Sequence, residues 1–299
     1  MTNADAAARF EPRRALDLSL TLTPIGYGPS MRHQDGAIWR ATRTPLGSAT
    51  LRLEHRDGQV AAHAWGPGAQ WAVDHAPVLC GEGDDDSGFA PTDALVARLH
   101  RQVRGIRMPR TMAVFEALVP CVVLQQVTTV QAKDSYQHLV NALGEPAPGP
   151  VALKLPPSPQ TLAETPYWAF HRFNIERRRA DIIIRASRSV KRLEETIDKD
   201  MTAAYARLRA FPGVGPWTAA KVALVALGDA DAVPVGDYHL PHMVGYAFDG
   251  TPRSTDERML ELLEPYRGHR ARVIRLLTLS GIAAPKFGPK MPLRDIRNS

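Results

Sequence analysis

The feature that most constrains this chain is a glycine-containing stretch between two helical segments. Residues 208–219 read Leu-Arg-Ala-Phe-Pro-Gly-Val-Gly-Pro-Trp-Thr-Ala. Pro212 stops the first helix, and Gly213 and Gly215 permit a tight turn with positive φ before a second helix begins at Trp217. The pattern predicts a helix-hairpin-helix, in which the glycines let a phosphate approach the N-terminus of the second helix.

A dinucleotide-binding loop, a phosphate loop and an ordinary turn between helices are the alternatives for such a glycine pair. The pair follows a predicted helix over residues 202–210 rather than a strand, and neither a third glycine nor a Gly-Lys-Ser/Thr sequence stands in place. These departures put nucleotide-cofactor binding behind a nucleic-acid contact. A hairpin of this kind grips the nucleic-acid backbone without reading bases.

An aspartate follows the hairpin, in the segment Val235-Gly-Asp-Tyr-His239. Together, the hairpin and the spacing from Trp217 to Asp237 resemble the helix-hairpin-helix DNA glycosylases, in particular the 3-methyladenine DNA glycosylase II branch of the AlkA type. The resemblance covers roughly residues 15–299 and implies that Asp237 is the catalytic carboxylate. Bifunctional members carry a lyase lysine where this chain has Trp217, which implies a monofunctional enzyme that leaves the abasic site uncut.

The chemistry of a carboxylate suits this role. Cleavage of an N-glycosidic bond builds positive charge on the sugar, which a preorganised carboxylate stabilises after the nucleotide has been flipped out of the duplex. Alkylation of a purine ring nitrogen makes the base cationic, and Trp217 could stack on it with a cation–π contribution of roughly 0.5–2 kcal/mol. A helix N-cap is the alternative role for Asp237, and packing on the hairpin is the alternative for Trp217.

An earlier helical segment extends the resemblance. Phe115-Glu-Ala-Leu118 and Leu124-Gln-Gln-Val-Thr128 resemble the family segments Phe-Glu-x-Leu and Gly-Gln-x-Val-Ser/Thr, with departures at Leu124 and at Pro120, which is expected to kink or divide the helix. By this match Gln126 is the candidate wedge that enters the duplex, with an exposed helix-end glutamine as the alternative. The predicted DNA-binding residues are Gly213, Val214, Gly215, Thr218, Gln125, Gln126 and Thr128.

The most aromatic stretch, residues 165–174, precedes a basic helix over residues 175–185. Bases stack on aromatic rings while arginines hold phosphates, although a core cluster beside a solvated charged face is the plainer interpretation. We predict a base pocket formed by Trp217, Tyr238, Trp168, Phe170 and Lys221. Lys221 lies one helical turn after Trp217, and we interpret it as a phosphate contact or as a pocket-edge residue that disfavours cationic bases, rather than as a lyase lysine.

Charge and cysteine content bound the ligands. Residues 1–90 contain 8 Lys+Arg and 11 Asp+Glu, whereas residues 91–299 contain 29 and 20, and this basic part suits double-stranded DNA with damaged bases as the partner. Cys80 and Cys121 are too few for a four-cysteine iron–sulfur cluster. No cofactor is expected apart from a monovalent cation at the hairpin, and the spacing of His239 and His242 does not predict a metal site.

The order of the predicted elements gives the fold class. After a loose tail at residues 1–14, the alternation of Leu16, Leu18, Leu20 and Leu22 predicts a strand over residues 15–23. Further strands are predicted at residues 37–42, 49–55 and 59–65, with a hairpin turn at 56–58 and a helix near 69–75. Residues 15–90 are therefore expected to form a small β-rich domain, which ends in a solvated acidic linker at residues 81–88.

Helices dominate from Pro91 onward, at residues 93–104, 113–129, 130–143 and 268–279. This order predicts an α+β fold with a small N-terminal antiparallel sheet domain and a mostly helical glycosylase body over residues 91–299. The final helix and the basic segment 286–297 are expected to flank DNA or to pack on the core. Neither a signal segment nor a membrane-length apolar run is evident, so we expect a cytoplasmic, intracellular monomer without a membrane partner.

Overall fold

A five-stranded antiparallel sheet forms the N-terminal part of the molecule. The computed structural model describes residues 3–26, 28–285 and 295–297, and the sheet has the strand order β1-β5-β4-β3-β2. Its strands are β1 (Ala6–Phe10), β2 (Met31–Gln34), β3 (Ala37–Thr44), β4 (Gly47–Arg56) and β5 (Gln59–Trp65). The predicted strands at β3, β4 and β5 are confirmed, and Asp57 and Gly58 make the hairpin turn with φ of 51° and 75°.

The prediction of a loose tail over residues 1–14 is wrong. β1 pairs along its full length with β5, from Ala6 opposite Ala64 to Phe10 opposite Val60. Three successive alanines show no apolar alternation, so the sequence carries no strand signal there. The pairing rests on backbone hydrogen bonds, which are independent of the side chains.

The strand predicted over residues 15–23 is also wrong, because this segment contains helix α1 (Leu18–Leu22). Asp17 caps the helix by accepting a hydrogen bond from the Leu20 N–H at 2.8 Å. Leu18 and Leu22 are both buried. Residues at i and i+4 share one face of a helix, so the alternating leucines satisfy the helical period as well.

The acidic segment 81–88 is not a solvated linker. Asp84 is buried and forms a bidentate ion pair with Arg272, at 2.6 and 3.0 Å, and accepts the Met108 N–H at 3.0 Å. Glu82 pairs with the buried Arg107. The prediction failed because the segment is anchored by two arginines farther along the chain, Arg107 and Arg272, rather than by apolar residues of its own.

Helices joined by loops form most of the rest of the described chain. Two short helices follow the sheet, α2 (Ala69–Asp74) and α3 (Ala76–Leu79), and the body contains α4 (Ala94–Gln102), α5 (Val114–Val123), α6 (Thr129–Leu143), α7 (Pro159–Glu164), α8 (Arg177–Arg188), α9 (Val190–Glu194), α10 (Met201–Arg209), α11 (Pro216–Val222), α12 (Leu240–Asp249), α13 (Asp256–Leu263) and α14 (Arg270–Leu279). The α+β organisation is confirmed. None of the helices in the described residues is long and apolar enough to cross a membrane.

Helix α5 is central to the helical core. Pro120 does not divide it, but the helix ends at Val123, earlier than the predicted end at residue 129. Glu194 at the end of α9 accepts the N–H groups of Val114 and Phe115 at 2.9 and 2.8 Å and so caps α5. Burial raises the pKa of Glu194, and these two hydrogen bonds oppose that rise.

The second hairpin helix continues beyond α11 as a π-helical turn, Ala223–Leu227. The carbonyl groups of Val225 and Ala226 accept the N–H groups of Thr111 and Met112 at 3.0 and 3.1 Å. The segment that leads into α5 is therefore tied to the end of the hairpin. Such π turns are frequent at functional sites.

Candidate active site

The predicted helix-hairpin-helix is confirmed as α10, a turn and α11, and its two glycines act differently. Gly213 has a φ of 95°, and a Cβ atom there would lie 2.5 Å from the Ile182 side chain. Gly215 has a φ of −85°, so the prediction of positive φ at this glycine is wrong. A Cβ atom on Gly215 would meet nothing within 4 Å. Gly213 therefore permits the turn and its packing, whereas Gly215 leaves the start of α11 open to an approaching group.

Gln125 braces the hairpin. Its Nε2 donates to the Gly213 carbonyl at 3.0 Å and to the Thr218 Oγ1 at 2.9 Å. The side chains of Val214 and Thr218 are both buried. Gln125, Val214 and Thr218 were predicted to contact DNA, but their side chains are engaged inside the protein, so Val214 and Thr218 can offer only backbone groups.

The predicted wedge, Gln126, lies exposed in the turn between α5 and α6. Its φ is 57°, which is uncommon for a residue with a side chain. Its Oε1 accepts a hydrogen bond from the Arg178 guanidinium at 3.2 Å. Thr128 caps α6 by accepting the Gln131 N–H at 3.2 Å. The structure thus places Gln126 at the surface on a strained backbone.

Asp237 is held by three N–H donors. Its Oδ1 accepts the N–H groups of His239 and Leu240 at 2.9 and 3.1 Å, so it caps the start of α12. Its Oδ2 accepts the Trp217 indole N–H at 2.8 Å. The capping role and the contact with the hairpin residue exist together, and the second of them joins Asp237 directly to α11.

A further carboxylate that the sequence interpretation missed fixes the backbone before Asp237. Asp256, at the start of α13, accepts the Gly236 N–H at 3.0 Å. Gly236 has a φ of 89°, which a glycine adopts readily. The available signal was the sequence Thr255-Asp-Glu, which is typical of a helix start, but its partner lies twenty residues away.

Two more carboxylates hold the loop between the hairpin and Asp237. Asp229 accepts the Tyr205 O–H at 2.8 Å, and burial raises the pKa of Asp229. Asp231 forms an ion pair with Arg270 at 2.5 Å. Burial acts to raise the pKa of Asp231, but the hydrogen bonds from Arg270 outweigh it and leave that pKa lowered. Both groups anchor the loop to neighbouring helices.

The aromatic residues predicted for the base pocket differ in their burial. Phe170 is fully buried in the helical core, so its assignment to a base pocket is wrong: a helical turn over Tyr167–Phe173 points this ring inward. Trp168 and Tyr238 are exposed, with 64% and 79% of their surface accessible. Within the described part of the chain, Trp168 makes no hydrogen bond or ring contact with Trp217, Lys221 or Asp237. The structure therefore brings together Trp217, Lys221 and Asp237, with Tyr238 adjacent in sequence.

A cavity of about 160 Å³ lies between the sheet and the helical body. It is lined by residues of four regions: Pro24, Ile25, Gly26, Ser30 and Met31; Arg40 and Ala41; Thr111, Glu116, Ala117, Pro120, Cys121, Leu124, Tyr136 and Pro156; and Lys221, Leu224 and Val225. Burial raises the pKa of the Cys121 thiol to about 11, against the opposing effect of the Lys221 charge. The Lys221 Nζ also lies 5.8 Å from the centre of the Trp217 ring, which connects the cavity to the Asp237 site.

The final helix does not flank an open surface with its central arginines. Arg272 pairs with Asp84, and Arg275 donates to the carbonyl groups of Arg107 and Leu20, each at 2.6 Å. Burial lowers the pKa of Arg275 to about 10. The basic segment was predicted to flank DNA or pack on the core; residues 286–294 lie outside the described residues, and the Ile296 N–H donates to the Asn174 Oδ1 at 3.1 Å.

The histidines near Asp237 do not form a metal cluster in the part of the chain that the structure describes. His242 accepts the Ser254 N–H through Nδ1 at 3.1 Å. Across the described residues, no group of three or more His, Cys, Asp or Glu side chains is arranged to hold a metal ion.

Comparison with known proteins places this geometry in context. No family model matches the chain. A protein of Mycobacterium tuberculosis named "Probable bifunctional transcriptional activator/DNA repair enzyme AlkA" is 36% identical over 139 residues, which cover 46% of this chain and 28% of that protein. The chain spans between 28% and 61% of the length of the curated relatives that it matches.

Solved structures match nearly the whole chain. The 3-methyladenine DNA glycosylase from Archaeoglobus fulgidus superimposes with a TM-score of 0.78 at 18% identity, over 92% of this chain and 98% of that one. This chain has the fold of the helix-hairpin-helix DNA glycosylases. The resemblance read from the sequence to 3-methyladenine glycosylases of the AlkA type is confirmed.

The same glycosylase fold serves more than one base. An 8-oxoguanine glycosylase/lyase from Clostridium acetobutylicum, in complex with double-stranded DNA containing cytosine opposite 8-oxoguanine, matches with a TM-score of 0.69 at 14% identity, over 94% of this chain and 98% of that one. The fold alone therefore does not decide on which base such a protein acts; the residues of the site decide it.

Proposed function

We propose that this protein is a monofunctional DNA glycosylase of base excision repair. It binds double-stranded DNA, flips out a damaged base and hydrolyses the N-glycosidic bond, which leaves an abasic site. Alkylated purines are the proposed class of substrate, because the relatives that share sequence and fold with the chain are named for DNA repair and for 3-methyladenine. An enzyme of this kind acts inside the cell, where its DNA lies.

The observation that carries the proposal is the hydrogen bond between the Trp217 indole and Asp237. It joins the hairpin, where the backbone is open at Gly215, to a carboxylate whose orientation is set by three N–H donors. DNA bound at the hairpin brings a deoxyribose near Asp237. The fixed carboxylate then stabilises the positive charge that develops on the sugar and orients the attacking water, without rearrangement during the reaction.

The cavity between the sheet and the helical body provides space for the flipped base. Lys221 lines this cavity, and its Nζ lies 5.8 Å from the centre of the Trp217 ring, whose indole N–H donates to Asp237. Exposed Gln126 fills the place that the base leaves, where its amide can hydrogen-bond the unpaired partner base.

The absence of a second, lyase step is part of the proposal. Schiff-base chemistry needs a lysine nucleophile that reaches the sugar. Trp217 occupies the hairpin position next to Asp237, and Lys221 lies a helical turn farther along, directed to the cavity that would hold the base. The sugar is therefore attacked by water rather than by an amine of this chain.

The test measures base release from duplexes that carry 3-methyladenine, 7-methylguanine, hypoxanthine or uracil. Wild type should release an alkylated purine, and strand breaks should appear only after alkali. Asp237→Asn should bind the same duplex while releasing base about 10²–10³ times more slowly, because it removes the charge that stabilises the sugar cation. Breaks before alkali would refute the monofunctional assignment. Intact DNA binding without release from any duplex would leave a DNA-binding protein without enzymatic activity.

A further inference from the structure

The cavity described above carries an excess positive charge. Its charged lining side chains are Arg40, Glu116 and Lys221. Arg40 and Glu116 neutralise each other in an ion pair at 2.6 Å, and the other Glu116 oxygen accepts the Thr42 hydroxyl at 2.8 Å. Lys221 forms no salt bridge with any of the residues that the structure describes. The charge of Lys221 therefore acts on whatever enters the cavity.

Lys221 also lies over the aromatic ring that would otherwise attract a cationic base, that of Trp217. The face of an indole ring attracts a cation, and the Lys221 ammonium already lies 5.8 Å from the centre of the Trp217 ring. A purine that carries a positive charge would have to displace this ammonium or share the ring with it. Either arrangement brings two like charges together in a partly dehydrated space, which is unfavourable.

Two buried hydroxyl groups that line the cavity could donate hydrogen bonds to a ligand. Ser30 Oγ and Thr111 Oγ1 both line the cavity and are buried, and within the described residues neither makes a hydrogen bond. A buried polar group without a partner costs free energy, so such groups are typical of a place that a ligand or water fills. Hydroxyls and an ammonium together offer donors to the acceptor atoms of a base.

We propose that Lys221 is a specificity-determining residue, which makes this cavity prefer uncharged purine lesions with hydrogen-bond acceptors on their edge over N-methylated cationic purines. The inference rests on the proposed glycosylase function and refines its substrate class. Alkylation products are included, since adducts such as 1,N6-ethenoadenine are uncharged, whereas 7-methylguanine in DNA carries a positive charge. In the free enzyme the Lys221 ammonium lies against the face of the Trp217 ring. An uncharged base can bind beside this ammonium, whereas a cationic base is repelled by it.

The experiment compares two duplexes of one sequence, one with 1,N6-ethenoadenine and one with 7-methylguanine, in single-turnover base release corrected for spontaneous loss. The quantity is the ratio of the rate for 7-methylguanine to the rate for 1,N6-ethenoadenine. In Lys221→Met, which keeps the length of the side chain, we expect this ratio to rise about tenfold over wild type. Lys221→Arg keeps the charge and should keep the wild-type ratio.

Lys199→Met is the matched control, because it removes one exposed positive charge that lies outside the cavity. Any effect of this exposed charge on DNA affinity is common to both duplexes, so the ratio should stay at the wild-type value. A ratio for Lys221→Met within about twofold of wild type, well below the expected effect of a unit charge, would overturn the inference. Absence of release of either base by wild type would instead count against the proposed glycosylase function, so the two failures are distinguishable.

Discussion

The hairpin turn and the turn that carries Gln126 present different kinds of surface. The hairpin offers backbone: Gly215 is open, and the turn is held by Gly213 against Ile182. The turn after α5 offers a side chain, the exposed Gln126, on a backbone with positive φ. Gln125 connects the two turns, since it precedes Gln126 and donates to the Gly213 carbonyl.

This difference shows how gripping DNA and probing it can be separated. A backbone surface is indifferent to base sequence and needs rigidity and access. A wedge must enter the duplex, so it needs an exposed side chain that can leave its resting contact with Arg178. One glutamine then keeps the two at a fixed separation, and variants of each turn should produce different kinds of defect.

The two hairpin glycines should give the largest contrast. Gly213→Ala forces a side chain into positive φ and against Ile182, so the free energy of unfolding should fall by about 2–4 kcal/mol. Gly215→Ala should change it by less than about 0.5 kcal/mol, because the space there is open, yet weaken duplex binding about tenfold. Urea unfolding and fluorescence anisotropy measure the two quantities. Equal losses of stability at both positions would contradict the division of roles.

Removing the Gln125 side chain, which connects the two turns, should lower the stability by an intermediate amount. Gln125→Ala leaves the Gly213 carbonyl and the buried Thr218 hydroxyl without their donor, which should lower the free energy of unfolding by about 1–3 kcal/mol. Gln125→Glu has the same shape but places a carboxylate against the Gly213 carbonyl, so it should be at least as destabilising. If urea unfolding gave both variants the free energy of unfolding of the wild type, Gln125 would not brace the hairpin.

The backbone at Gln126 allows the smallest and most specific test. Gln126→Gly and Gln126→Ala both remove the amide, and both should reduce the fluorescence change of 2-aminopurine placed beside a lesion, which reports base flipping. Only glycine relieves the positive φ, so Gln126→Gly should be more stable than Gln126→Ala by about 1 kcal/mol. If both variants still flipped the base as the wild type does, Gln126 would not be the wedge.

The sequence predicted the features that depend on local signals. The hairpin with its positive φ at Gly213, three strands and the turn at Asp57 and Gly58 follow from backbone requirements that neighbouring residues display. Asp237 was placed at a helix start from its position, and the structure bears this out. Its catalytic role, and the presence of a monovalent cation at the hairpin, stay predictions.

The features that sequence reasoning missed depend on partners far along the chain. The role of Asp256 depends on Gly236, and that of Asp84 on Arg272. Phe170 was assigned to a pocket because aromatic content does not reveal which side of a short helical turn faces the core. The leucines from Leu16 to Leu22 fit both a strand and a helix, and the hydrogen bond that Asp17 accepts from the Leu20 N–H favours the helix.

The ion pair between Asp84 and Arg272 bears on how the protein can be engineered. Its acidic, glycine-rich surroundings look like a natural insertion point for a fusion partner or a place to cut the chain in two. Removing Asp84 together with the sheet would leave the buried Arg272 guanidinium without its counterion, and the loss of one member of a buried pair costs about 3–5 kcal/mol. Sheet and helical body should therefore melt together as one cooperative unit and be inherited together in any chimera.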